Sequence, residues 1–173
     1  MSSNQPYRLK HLNSDFRVSE ISKMPSLCDE EAAKFTIAEL RKDNINPFDA
    51  VQIIADALGI HPDDISYSGM KDRSGVTSQL IALRGKYDQG ALDSVTASSG
   101  KAITLSGKGY STEPMRIGKL HGNNFSIVLR DIDTEHYDAL REINNRTIES
   151  PTVNYYDNQR FGLRGILNTH LIK

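Results

Sequence analysis

The sequence predicts an α+β fold in which a mixed or antiparallel sheet carries packed helices. Residues 15–20 and 125–130 alternate between apolar and polar side chains, as strands do, whereas the apolar residues from Phe48 to Leu58 follow helical spacing. Strand and helix patterns are intermixed along the chain. With 173 residues, 38% of them hydrophobic, the chain is long enough for one hydrophobic core, so residues 1–173 are assigned to a single domain.

The strand predictions rest on alternation and on the turn residues between the runs. Phe16 and Val18 lie on one face of the first strand, with charged residues on the other, which is the pattern of a half-buried strand. Residues 22–31 contain Pro25 and little periodicity, and they predict a loop. Further strands are predicted at residues 35–40, 65–67, 76–83, 103–105 and 125–130.

A helix is predicted to begin at Pro47. Asn46 is a favourable N-cap, Pro47 suits the first helical position, and Gly59 is placed to end the helix in a left-handed conformation. The apolar stripe that this helix would bury consists of Phe48, Val51, Ile54, Ala55 and Leu58. Further helices are predicted over residues 88–95 and after Asp133.

Composition and charge limit the kinds of function. The formal net charge of −1 excludes a protein that coats nucleic acid through bulk positive charge, so RNA binding would need a local basic patch. A solvated surface explains the cations Lys101, Lys108, Arg116 and Lys119 equally well until a fold gathers them. The apolar runs are short, so we expect neither a membrane span nor a secretory signal, and a cytoplasmic protein.

Several catalytic classes lack their sequence signatures. The five histidines are scattered and none pairs with Cys, Asp or Glu at a metal-ligand spacing, so no metal site is predicted. The serines lack the glycine pattern of a hydrolase nucleophile. Gly107-Lys108-Gly109 is too short to indicate a phosphate loop, and the single Cys28 cannot form an internal disulfide.

Residues 68–79 form the most informative segment of the chain. Asp72 stands between Lys71 and Arg73 in a glycine-bounded turn between two predicted strands, where functional residues commonly lie. The two cations favour the ionised form of the carboxylate. Taken alone, such a tripeptide is more often a surface turn with a weak ion pair, so its context decides the interpretation.

Two other segments combine polar and aromatic residues. In residues 119–125, Phe125 is by default a core residue of an alternating strand, with stacking against a base as the alternative. Residues 153–162 are dense in amides and aromatics, which suit either a loop with packed tyrosines or a polar network around an unstacked base.

The order of these segments resembles the TruD family of tRNA pseudouridine synthases. Gly69-Met70-Lys71-Asp72-Arg73-Ser74-Gly75-Val76-Thr77-Ser78-Gln79 is similar to the family pattern Gly-x-Lys-Asp-(Lys/Arg)-x-(Ala/Gly)-Val-Thr-x-Gln. The other matching segments are Lys10 with residues 15–20, residues 118–125 running to Leu129-Arg130, and residues 154–162 followed by Gly165 and Asn168. Four ordered motifs over nearly the whole chain make the resemblance specific.

The resemblance implies isomerisation of uridine to pseudouridine in the D-arm region of tRNA, without cofactor or metal. By the same resemblance Asp72 is the catalytic aspartate, Lys10 is a basic residue near it, Phe125 packs at the target base and Asn123 is the polar neighbour of Phe125. The carboxylate can attack the sugar or remove a sugar proton, and the sequence leaves both open. The remaining candidates for supporting the site or binding substrate are Lys71, Arg73, Asn154, Gln159, Arg160 and Phe161.

Length separates this chain from the family it resembles. Family members are considerably longer and continue into a further catalytic half, so residues 1–173 correspond to half of a pseudouridine synthase catalytic fold. The expected partners are tRNA and either a complementary second half or a second copy of the chain, with no membrane partner. The alternative is a non-catalytic RNA-binding or interaction fragment that retains the fold. Asp157 also departs from the glycine that many members carry.

Overall fold

The computed structural model describes residues 7–150 and divides the chain into two compact units, Met1–Asp131 and Ile132–Lys173. The first unit contains nine strands and two α-helices among its described residues. The strands are β1 Arg8–Leu9, β2 Phe16–Ser22, β3 Leu27–Cys28, β4 Phe35–Asp43, β5 Ile65–Tyr67, β6 Val76–Arg84, β7 Ile103–Ser111, β8 Leu120–Ile127 and β9 Leu129–Arg130. The helices are α1 Pro47–Leu58 and α2 Gln89–Ser98.

The second unit contains one described helix, α3 Thr134–Glu149. Asp133 caps it as predicted, because its carboxylate accepts the backbone N–H of His136 at 2.8 Å. Within residues 7–150, no helix is both long and apolar enough to cross a bilayer.

A mixed sheet organises the first unit, which confirms the predicted fold class. Its strand order is β3-β7-β4-β6-β2-β8, and β5 adds to β6. The β2–β6 pair is parallel and the other pairs are antiparallel. Strands β1 and β9 form a separate antiparallel pair.

The main hydrophobic core lies between α1, α2 and one face of this sheet. Its buried members come from both helices and from β4 to β7 and include Leu40, Ile54, Ile81, Leu83, Leu92, Val95, Ile103 and Leu105. A smaller cluster on the opposite face contains Phe35, Ile37, Ala82 and Met115. Burial of this apolar surface is the main favourable contribution to folding.

Helix α1 forms for the reasons that its sequence predicts. The carboxamide oxygen of Asn46 accepts the N–H of Phe48 at 3.0 Å, and Gly59 ends the helix with a φ of 66°. The expected burial of Phe48 is wrong, because this side chain lies at the edge of the apolar stripe in the first turn and is 67% exposed. Ile54 and Ala55 occupy the centre of the contact and are fully buried.

Several local predictions change because strand pairing depends on distant partners. Residues 22–31 contain β3 as well as loop, and β4 and β7 each extend to nine residues. The segment Gly107-Lys108-Gly109 is a β-bulge: Ile37 pairs with Gly109 and Ala38 with Gly107, and Gly109 has a φ of 134°. The predicted single strand over residues 125–130 is broken at Val128, where β8 ends and the chain enters the β1–β9 pair.

Candidate active site

Asp72 lies on the connection between β5 and β6, and its side chain is exposed. The connection ends at Gly75, which has a φ of 121°. A Cβ at this position would stand 2.5 Å from the carbonyl oxygen of Phe16, so both the conformation and the close approach require glycine. We call residues 68–75 the site loop. It is pressed against the start of β2 at this point.

Three neighbouring strands hold the site loop through polar side chains. Lys42 on β4 donates to the carbonyl oxygen of Asp72. Gln79 on β6 donates from Nε2 to the carbonyl oxygen of Gly69 at 3.1 Å. Glu20 on β2 forms an ion pair with the ammonium group of Lys71. The loop that carries the candidate catalytic residue is therefore anchored from β4, β6 and β2 at once.

The register of the sheet explains why these side chains converge. Lys42 lies opposite Thr77, and Thr77 lies opposite Val18. Side chains alternate between the two faces of a sheet, so Gln79 and Glu20, two residues further along their strands, share that face. The site loop lies over this face, the same face that packs against α1 and α2 further along the sheet.

Lys42 contacts the site loop, although the sequence alone did not single it out. Its side chain is 2% exposed, and Nζ also donates to the carbonyl oxygen of Ile45 at 2.9 Å. Burial lowers the pKa of Lys42 to about 8, against the opposing attraction of Asp72, and the positive charge of Lys71 lowers it further. A signal was present in the sequence: Ala38, Leu40 and Lys42 occupy one face, so the lysine stands at an inward position of a strand.

Lys71 occupies a different place from the one its sequence position suggests. The side chains of Lys71 and Glu20 are 6% and 0% exposed, so their ion pair is buried. Among residues 7–150, no basic group lies within 4 Å of the Asp72 carboxylate, and Arg73 is exposed without an ion pair. Lys71 therefore fastens the loop to β2 instead of flanking the carboxylate of Asp72.

Asn123 and Phe125 lie on β8, beside β2. Phe125 pairs with Val18 and Asn123 pairs with Glu20, which puts both side chains on the face that holds the site loop. The default interpretation of Phe125 as a core residue is wrong, because β8 is the terminal strand of the sheet and Phe125 is 55% exposed. Its ring contacts Phe16 at a centroid distance of 6.2 Å and leaves apolar surface open.

Lys10 follows β1 with a φ of 52°, a left-handed conformation that is uncommon outside glycine. Its Nζ lies 3.9 Å from the centre of the Phe16 ring. Phe16 therefore contacts Lys10 and Phe125, and it also meets Gly75 at the end of the site loop. The structure thus connects three of the motif segments through one aromatic ring.

An ion pair between Arg130 and the buried carboxylate of Asp15 fixes the segment that carries Lys10. Asp15 is 1% exposed and accepts two hydrogen bonds from Arg130, each at 2.7 Å, and one from the N–H of Leu12 at 2.9 Å. These bonds hold the pKa of Asp15 at about 2 and raise the pKa of Arg130. Both residues lie in matching motifs, but the sequence alone assigned them no role.

The fold brings two of the cations noted in the sequence, Arg116 and Lys119, into one cleft. Lys23, Arg116 and Lys119 line an open cleft of about 400 Å³, with Glu113 as an opposing charge. The cleft adjoins the site loop, because the N–H of Gly118 donates to the carbonyl oxygen of Ser68 at 3.0 Å. Lys108 lies elsewhere and pairs with Glu39 at 2.8 Å.

Two further predictions concern the C-terminal site residues and a metal site. Asn154, Gln159, Arg160 and Phe161 lie outside the described residues. Between residues 7 and 150, no group of three or more His, Cys, Asp or Glu side chains is arranged to hold a metal ion.

Comparisons with known proteins identify the family to which this chain is similar. A family model described as tRNA pseudouridine synthase D (TruD) matches residues 4–173. A tRNA pseudouridine synthase D of Proteus mirabilis is 35% identical over 162 residues, which cover 91% of this chain and 43% of the relative. A probable tRNA pseudouridine synthase D of Methanococcus maripaludis is 30% identical over 156 residues, covering 90% of this chain and 37% of the relative.

A solved structure has a similar fold. The crystal structure of a Methanosarcina mazei protein, titled as a tRNA pseudouridine synthase D, aligns with a TM-score of 0.76 and 26% sequence identity. The alignment covers 90% of this chain and 35% of that one. The chain thus spans less than half the length of each of these three proteins.

Proposed function

The chain belongs to the tRNA pseudouridine synthase D (TruD) family, and from this membership we propose that it carries the catalytic aspartate for the isomerisation of uridine to pseudouridine in tRNA. One observation supports this most directly. Asp72 is exposed on a loop that buried side chains of three strands hold, two through its main-chain carbonyl oxygens and one through the side chain of Lys71. A carboxylate that is accessible to substrate but fixed in position is suited to catalysis.

The proposed reaction rearranges one nucleoside without a net gain or loss of atoms. The bond between N1 of uracil and the sugar breaks, the detached base rotates, and C5 of uracil bonds to the same sugar carbon. C5 then loses its proton to solvent and N1 takes one up, so the product is an isomer of uridine. The uridine must leave the base stack for this to occur. Asp72 either attacks the sugar carbon or removes a sugar proton, and both routes use the same carboxylate.

Phe125 and Asn123 are proposed to hold the base while it is detached. The open surface of the Phe125 ring offers a stacking platform, and the exposed amide of Asn123 can hydrogen-bond the edge of uracil. Lys10 contributes a cation beside Phe16, and Arg73 contributes one on the site loop. Lys71 supports the site indirectly by anchoring that loop to β2.

We propose that tRNA, bound in its D-arm region, is held by local charge. The cleft formed by Lys23, Arg116 and Lys119 adjoins the site loop and can neutralise backbone phosphates. Such a patch compensates for a chain whose net charge is −1. The proposed substrate also supports a cytoplasmic location, and the chemistry described requires side chains alone.

We assign residues 1–173 to a partial catalytic domain of this family. Asn154, Gln159, Arg160 and Phe161 are proposed to add amide, guanidinium and aromatic groups around the flipped base. Because the chain spans less than half the length of its relatives, we propose that a complementary second half closes the other side of the site. Alternatively, a second copy of the chain closes that side of the site.

The test is a tritium-release assay with tRNA labelled at C5 of uridine. The 173-residue chain is assayed alone and as a chimera in which it replaces the matching segment of the Proteus mirabilis relative. We expect little turnover from the chain alone and clear turnover from the chimera. In the chimera, Asp72→Asn should abolish tritium release while tRNA binding persists.

Asp63→Asn is the matched control, since it removes the same charge from a side chain that is 93% exposed and should leave turnover unchanged. Turnover that survives Asp72→Asn would remove Asp72 from the catalytic role. A folded chimera that binds tRNA but never releases tritium would instead favour the non-catalytic RNA-binding fragment.

A further inference from the structure

We propose that Lys42 is a positioning residue whose buried ammonium group fixes the main chain of Asp72 and so sets where the carboxylate meets its substrate. Its catalytic meaning rests on the proposed function, whereas its action on the loop can be measured without any activity. Nothing in the family comparison assigns this role.

The contacts of Lys42 are unusual for a lysine. Lysine is rarely buried unless it is paired, yet Lys42 is 2% exposed and has no carboxylate within 4 Å among the described residues. Its two hydrogen-bond acceptors are main-chain carbonyl oxygens, those of Asp72 and Ile45. The side chain therefore contacts backbone in two separate connections.

These two connections are the site loop and the segment between β4 and α1. A second bond joins the same pair, because the N–H of Asn44 donates to the carbonyl oxygen of Gly75 at 3.0 Å. Helix α1 is packed in the main core, so its leading segment is a fixed support. Lys42 therefore fixes the position of Asp72 relative to this support, in addition to the contacts of Asp72 with its neighbours in the loop.

The electrostatics agree with a role in positioning. The charged groups that act on Lys42 are Asp72, which attracts it, and Lys71, which repels it. A buried charge costs free energy that an apolar side chain of similar volume would not, so packing alone gives no reason for lysine here. Donation to the Asp72 carbonyl is a function that an apolar residue cannot provide.

The first test uses trypsin, because the site loop already contains an exposed cleavage site after Arg73. In the 173-residue chain, Lys42→Met should accelerate cleavage after Arg73 by about tenfold, the effect of losing one charge-assisted hydrogen bond. Lys42→Arg keeps a donor and should restore much of the protection. Lys101→Met changes an exposed lysine and is the matched control. Unchanged cleavage in a folded Lys42→Met variant would overturn the proposal.

A second measurement keeps the inference testable if Lys42→Met fails to fold. Amine acetylation of the wild-type chain, followed by mass spectrometry, should label Lys42 at least about tenfold more slowly than Lys101, because its nitrogen is buried and donates to two carbonyls. Equal labelling of the two lysines in the folded chain would contradict the structure on which the proposal stands.

The catalytic meaning is tested in the chimera. Lys42→Met should lower kcat by about a hundredfold while KM for tRNA stays within twofold, since a small displacement of a catalytic group costs about this much. An equal kcat would overturn the positioning role. If the chimera shows no turnover with Lys42 intact but the trypsin and acetylation results hold, the proposed function fails while the anchoring role stands.

Discussion

The main core and the site loop lie against the same face of the same strands, but the side chains of that face are apolar at the core and polar at the loop. On β4 the buried face runs from Ala38 and Leu40 to Lys42, and on β6 it changes from Ile81 to Gln79. Where the strands meet α1 and α2 the side chains are apolar, and where they meet the site loop the side chains donate or accept hydrogen bonds. The site is thus a continuation of the core in polar residues.

This contrast suggests that the core provides most of the stability, whereas the polar side chains set the position of the site loop. Apolar contacts are non-directional and tolerate small shifts, whereas hydrogen bonds and ion pairs specify positions of individual atoms. We therefore expect substitutions in the core to change mainly the free energy of unfolding, and substitutions around the site loop to change the position or accessibility of the loop as well. The four predictions below test this division, beginning with the largest effect.

Ile54→Ala should have the largest effect on stability. Ile54 is fully buried at the centre of the α1 contact, so its truncation should cost about 4 kcal/mol of unfolding free energy. Urea denaturation followed by circular dichroism measures this. Ile117→Ala is the control, because Ile117 is 84% exposed and its loss should change little. A small effect at Ile54 would mean that the core is not where stability resides.

Glu20→Gln should cost about 3 kcal/mol, since it leaves the ammonium group of Lys71 buried without its partner. The same denaturation experiment measures this loss, and trypsin cleavage after Arg73 should accelerate in parallel. Adding Lys71→Met should recover much of the stability by removing the unpaired charge. Glu39→Gln breaks the more exposed pair with Lys108 and should cost well under about 1 kcal/mol. Equal costs at Glu20 and Glu39 would contradict the burial difference.

Phe125→Ala should affect activity more than stability. The side chain is half exposed, so the loss of its contact with Phe16 should cost about 1 kcal/mol. Turnover of the chimera should fall roughly tenfold to a hundredfold if the ring stacks on the base. Ile127→Ala, on the same face and 49% exposed, is a control without a ring. Equal turnover losses in the two variants would argue against stacking.

The Asp15–Arg130 pair should give the smallest effect, seen in acid. The folded-state pKa of Asp15 is about 2, below its ordinary 3.8, so its contribution to stability is present above pH 3.8 and is lost as the pH falls toward 2. Thermal melting between pH 5 and pH 2 should show a steeper decline for the wild-type chain than for Asp15→Asn. If the melting temperatures of the two proteins declined in parallel, the pair would not contribute to the pH dependence of stability.

Local features of the fold were predictable from the sequence, whereas those that depend on distant partners were not. The caps of α1 and the position of the Asp72 connection follow from short-range signals. The pairing of Lys71 with Glu20 joins residues 51 positions apart, and Lys42 reaches Asp72 across 30. In each of these pairs the two residues lie in different segments, so a pattern within one segment cannot predict the contact.

The same limit explains the errors in the last strand. Apolar alternation over residues 125–130 was continuous, so it predicted one buried strand. The chain is diverted at Val128, whose N–H donates to the carbonyl oxygen of Asp15 at 2.7 Å, and β9 then pairs with β1. Phe125 is exposed because β8 ends the sheet, a property of strand order and not of sequence period.

The pairing of β2 with β8 has a consequence for synthesis on the ribosome. It joins segments roughly a hundred residues apart, and contacts with such sequence separation form slowly. The strands β4 to β7 and their two helices lie between these segments and can pair before β8 has been made. We therefore expect a nascent chain to acquire its core first, with β2 unpaired on one side until residue 127 has left the exit tunnel.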